Sequence, residues 1–93
     1  MTLLSSKFKK ISVIIPVFNS FKWIPSILDA LNNQKYLPYE VIIVDSGDDG
    51  KINNYISNKK FKFLLIYKKI AKAYPGKARN EGIKIAKGSY FGF

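Results

Sequence analysis

Ile11-Ser12-Val13-Ile14-Ile15-Pro16-Val17-Phe18-Asn19 and, further on, Glu40-Val41-Ile42-Ile43-Val44-Asp45-Ser46-Gly47 decide the fold of this chain. Each opens on a short, nearly unbroken run of β-branched apolar residues, the pattern of a strand covered on both faces of a parallel sheet. Between them, apolar residues at 24, 27, 28 and 31 form the stripe of an amphipathic helix, and Pro25 is tolerated because it falls in the first turn. The unit predicted is β-α-β.

A second cycle follows. Ile52, Tyr55 and Ile56 predict a short helix, with Asp48 or Asp49 as its N-cap, and Phe61 to Tyr67 a third strand. Lys77 to Ala86 predict a third helix, bounded by Pro75-Gly76 before and Gly88 after. Its small residues Ala78, Gly82 and Ala86 recur every four positions, a flat face that lets a helix lie close on a sheet. Tyr90 to Phe93 open a fourth strand, and Lys68 to Pro75 form the longest loop. Alternating strands and helices predict an α/β sheet with right-handed crossovers.

Composition bounds the chemistry. A chain of 93 residues holds at most one domain with a thin core, while 47% apolar and 15% aromatic residues are those of a globular chain. With neither cysteine nor histidine, the chain has no disulfide, thiolate nucleophile, ordinary zinc site or imidazole acid-base pair. Catalysis would rest on carboxylates and a metal. The net charge of +10, from 15 Lys and one Arg, is spread along the chain and favours polyanions in general: phosphates, nucleic acid or an anionic membrane face. The acids are more telling, because Asp45, Asp48 and Asp49 are half of the six and fall within five residues. Met1 to Lys7 lack the apolar core of a signal peptide, and no stretch approaches the ~20 apolar residues of a membrane span. A cytoplasmic location is expected.

Candidate site residues follow from the parallel sheet, whose ligands enter at the carboxyl ends of the strands, where the strand order reverses. Pro16 would interrupt a central strand unless pairing ends there, so Pro16, Val17 and Phe18 read either as a wall against a base or ribose or as a strand stopped by proline. Asp45 ends the neighbouring strand. Its carboxylate can accept the imide N–H of uracil or a ribose hydroxyl, and Asp-Ser-Gly is equally a turn former. Lys77 and Arg79 fall in the first turn of the third helix, where free N–H groups already attract anions. Asp48 and Asp49 read as capping and loop residues rather than a metal pair. The chain has neither a Walker-type loop nor G-x-G-x-x-G, which counts against an ordinary NTPase or a dinucleotide enzyme.

In order and spacing, Ser12-Val13-Ile14-Ile15-Pro16-Val17-Phe18-Asn19, Val41-Ile42-Ile43-Val44-Asp45-Ser46-Gly47, Ala78-Arg79-Asn80-Glu81-Gly82 and Ala86-Lys87-Gly88-Ser89-Tyr90 resemble the amino-terminal part of the family 2 glycosyltransferases. The resemblance implies a truncated GT-A, Rossmann-like α/β/α domain with a mostly parallel sheet in the order 3-2-1-4. Residues 1–10 are then an N-terminal extension, and 11–93 the nucleotide-binding part of a domain incomplete at its C-terminus. It implies a nucleotide-diphosphate sugar as ligand, Pro16, Val17 and Phe18 along the nucleotide, Asp45 on the base and Lys77 or Arg79 nearby. A divalent metal, Mg or Mn, is expected of the family, but its D-x-D ligands and the catalytic base have no candidates here, so this chain alone is expected to transfer no sugar. The loop Ser46 to Lys51 is tighter than the family's usual serine- and threonine-bearing version. Further expected partners are a second copy or a complementing chain on an exposed sheet edge, and peripheral contact with an anionic membrane. The competing reading is a small basic nucleic-acid-binding protein or a non-functional remnant.

Overall fold

The structure, a computed structural model, describes residues 11–19, 21–47, 50–71, 75–88 and 90–92. Four strands and three helices alternate: β1 (Ile11–Val17), α1 (Ile24–Asn32), β2 (Glu40–Asp45), α2 (Lys51–Ser57), β3 (Leu64–Lys69), α3 (Pro75–Ile85) and β4 (Tyr90–Gly92). All pairings are parallel, and the strands lie in the order β3-β2-β1-β4. This is an α/β sheet of the expected class.

Burial follows position in the sheet. Every residue of β2 is buried, as its unbroken apolar run requires of a central strand, whereas β3 is only partly covered at the edge. Alternate side chains feed two cores. Val17, Val41 and Ile43 pack with Ile24, Leu28, Ile52 and Phe63 under α1 and α2. Ile14, Ile42 and Val44 pack with Ala78 of α3 on the opposite face. The chain steps outward from β1 to β3 with its helices on one face, then crosses back to β4 with α3 on the other.

Three local outcomes bear on the site. Pro16 lies in register with Val44, inside the ladder rather than at its end. Ser46 donates to the Val17 carbonyl on the β2 side, so the alternation of a strand turns the Pro16 backbone toward β4, where pairing among the described residues runs from Ile11 to Val13. The missing N–H therefore breaks no bond of the ladder among the described residues.

The other two outcomes are corrections. Strand β3 begins at Leu64 and continues to Lys69, rather than spanning Phe61 to Tyr67. Phe61 and Phe63 stack 5.3 Å apart before the strand, and Lys62 N donates to Asn32 Oδ1 at 2.7 Å, so the approach is held by side chains. Helix α2 takes Gly50 as its N-cap, with φ of 69° and no side-chain cap, in place of an aspartate. Asp48 and Asp49 lie outside the described residues. A left-handed backbone at the cap position suits glycine and strains other residues.

Candidate functional site

The carboxyl ends of β1 and β2 meet, with Val17 in register with Asp45 and Ser46 donating from both N (2.9 Å) and Oγ (3.2 Å) to the Val17 carbonyl. Asp45 in turn pairs with Lys69, and Ile70 N donates to the Asp45 carbonyl at 2.9 Å. Three parallel strands thus end on one rim. Above it opens a cleft of about 410 Å³, lined by Phe18, Asn19, Ser46, Gly47, Lys69, Ile70 and Ala71. That volume lies in the range of small-molecule sites.

The Asp45 carboxylate is the keystone beneath this cleft. It is 1% exposed, and both oxygens are engaged: Gly47 N donates to Oδ1 at 2.8 Å and the Tyr67 hydroxyl to Oδ2 at 2.6 Å. Lys69 Nζ donates to the Gly47 carbonyl. Strand β3 therefore braces both Asp45 and the turn that follows it. Gly47 is required for the close approach of the two rims, since a Cβ there would lie 2.8 Å from the backbone N of Asn19. Asn19 itself holds a left-handed φ of 52°, which asparagine adopts more readily than most residues.

The six sequence-predicted residues divide. Phe18 lines the cleft and is 44% exposed. Val17 is buried in the core under α1 and α2, and Pro16 is half-buried in β1 outside the lining. Asp45 sits directly below the cleft floor rather than in its wall. Lys77 and Arg79 are exposed on α3 and line none of this cleft. Their neighbour Glu81 accepts from Lys84 at 3.1 Å, and that hydrogen bond, then the ammonium charge, holds its carboxyl below the usual range.

Sequence reasoning gave no role to Asn19, Ser46, Gly47 or Tyr67, and it placed Lys69, Ile70 and Ala71 in a loop. The signal was the parallel topology, which requires a third strand end on the same rim. Of the described lining residues, Lys69 alone is charged.

A metal centre does not fit the described residues, among which no three His, Cys, Asp or Glu side chains converge. The buried Asp45 carboxylate already serves Gly47 and Tyr67. Nor is any helix, among the described residues, long and apolar enough to cross a membrane.

An open parallel α/β sheet with a polar cleft at its carboxyl rim defines the class of domain that binds ligands across the strand ends. The family model described as glycosyl transferase family 2 matches residues 12–93, and the chain belongs to that family. It is 39% identical over 90 residues to a poly(ribitol-phosphate) beta-glucosyltransferase of Bacillus spizizenii, covering 90% of this chain and 14% of that protein. Similarity to the amylovoran biosynthesis glycosyltransferase AmsB of Erwinia amylovora is 38% over 86 residues, covering 88% of this chain and 29% of the relative. The poly(ribitol-phosphate) beta-N-acetylglucosaminyltransferase TarP of Staphylococcus aureus is 37% identical over 91 residues, with 91% and 27% covered. The chain thus spans between 14% and 29% of the length of these relatives.

Proposed function

We propose that residues 11–93 form the nucleotide-binding part of a glycosyltransferase, taking a nucleotide-diphosphate sugar as donor for transfer to a glycan, lipid or polysaccharide acceptor. The observation that carries this reading is the cleft over the ends of β1, β2 and β3, with an exposed aromatic ring on one rim and a braced carboxylate beneath. Phe18 supplies a stacking surface for the base. Asn19 supplies a polar side chain at the cleft, while Ser46, Gly47 and Asp45, bonded to Val17, to Lys69 and to one another, hold its floor in shape. Family membership is consistent with dependence on a divalent metal. Metal binding and deprotonation of the acceptor are assigned to the longer architecture that the relatives have.

The test is calorimetric titration of the purified chain with UDP and GDP. Saturable binding of either is expected. Asp45→Ala removes the acceptor of two hydrogen bonds, one of them from a tyrosine hydroxyl, and should weaken that binding by about tenfold or more. Absence of binding at millimolar nucleotide, or binding to any polyanion alike with a steep salt dependence and no effect of Asp45→Ala, would favour the nucleic-acid reading instead.

A further inference from the structure

Lys69 is a residue to which neither periodicity nor the family motifs assigned a role. It closes β3, pairs in register with Asp45 and lines the cleft opposite the β1 rim that carries Phe18 and Asn19. Its backbone is held in the sheet and its ammonium is bonded to the Gly47 carbonyl. Immobilising a lysine side chain costs rotamer freedom, and a lysine already placed by the fold loses less of it on binding.

The chemistry of the group narrows its partner. An ammonium donates and cannot accept, so the wall that Lys69 forms is complementary to an oxygen acceptor carrying negative or partial negative charge. Lys69 is the one charged residue among the described lining residues, so its ammonium stands within reach of a ligand in the cleft. We infer that Lys69 contacts the nucleotide directly, donating to an oxygen of the ligand, and so acts as a specificity-determining residue of the cleft. This inference rests on the reading of the cleft as a nucleotide site. The oxygen belongs either to a base carbonyl or to a phosphate, and the two sources separate experimentally.

The experiment compares the 93-residue chain with Lys69→Met and Lys69→Arg by titration with uridine and with UDP. Lys69→Met should weaken UDP about tenfold, the size expected for loss of a charge-assisted hydrogen bond, with Lys69→Arg restoring most of the affinity. A phosphate contact leaves uridine binding unchanged, whereas a base contact weakens uridine and UDP by the same factor. UDP affinity that survives in a folded Lys69→Met chain overturns the inference and leaves Lys69 as a strut for the Gly47 turn. Where Lys69→Met does not fold by circular dichroism, the unaltered chain decides. UDP should protect Lys69 from reductive methylation while leaving Lys59, on the exposed loop after α2, reactive, and equal modification of both overturns the proposal. Failure of the unaltered chain to bind uridine or UDP removes the nucleotide reading itself and the role of Lys69 with it.

Discussion

Asp45 illustrates how a strand-end carboxylate is fixed by the fold around it. Its carboxylate is fully buried yet satisfied, because Gly47 N and the Tyr67 hydroxyl each donate to one oxygen. A buried carboxylate without such donors would be costly enough to reshape the turn. The tight spot beside it is Gly47. A Cβ there meets Asn19 Oδ1 at 2.6 Å and Asn19 N at 2.8 Å, and the second atom is backbone, which yields only if the β1 rim moves. Gly47→Ala is therefore expected to cost about 1–3 kcal/mol of stability and to abolish nucleotide binding. Denaturant melts alongside titration would check both. Gly50→Ala provides the contrast. It has open space but a φ of 69°, so it should cost about 1–2 kcal/mol and leave nucleotide affinity unchanged.

At the scale of elements, two contacts fix α3 against the sheet. Gly82 lies on Ile14 so closely that a Cβ would stand 2.5 Å from Ile14 Cγ2, and Ile14 is fully buried and β-branched. Gly82→Ala gains about 1 kcal/mol of helix propensity but incurs about 1–3 kcal/mol of overpacking, so a net loss is expected. A lower midpoint in urea at unchanged slope would show it. Just past the C-terminus of the helix, Glu40 Oε2 accepts from Ser12 Oγ and from Lys87 N, each at 2.6 Å, while Gly88 N donates to Ser12 Oγ at 2.9 Å. This buried network ties the segment after α3 to the starts of β1 and β2. Glu40 Oε1 has no partner among the described residues. Glu40→Ala strands two donors and should destabilise by about 1.5–3 kcal/mol, measurable in the same melts. The Glu81–Lys84 pair matters far less. Its lowered carboxyl pKa makes its contribution present above the ordinary carboxylate range and lost as pH falls through the lowered value, but an exposed pair at this spacing contributes little.

For the molecule as a whole, the strand order leaves β3 and β4 at the edges of the described sheet. The β3 edge carries Lys68 and Lys69 near its end, charges that discourage pairing with another strand. The β4 side has no such lysine within its three residues. For the 93-residue chain by itself, self-association through β4 is expected, opposed by its net charge of +10. Salt screens that repulsion, so sedimentation should show a larger associated fraction at 0.5 M than at 0.05 M sodium chloride. A monomer at both, with a cooperative melt, would remove this expectation. Donor binding, in contrast, should weaken with salt if Lys69 meets a phosphate.

The amino-acid sequence by itself determined the α/β class, the two buried strands and the helices between them. Apolar runs and helical stripes are local patterns, and burial obeyed them fully in β2 and at Ile24 and Leu28, while Ile11 and Ile27 stay exposed. It also placed Phe18 and Asp45 at neighbouring strand ends, because a parallel sheet collects its carboxyl ends on one rim. The tertiary structure decided what those residues touch. Only the β2–β3 register brings Tyr67 and Lys69 to Asp45 and Gly47, across 22 residues of chain. Lysines at the end of an apolar run read as loop, yet an edge strand can carry them because one flank is open to water. Ser12 and Glu40 are alike in this respect: 28 residues apart and unremarkable as letters, they become a buried hydrogen-bonded pair only when two strand starts are laid side by side.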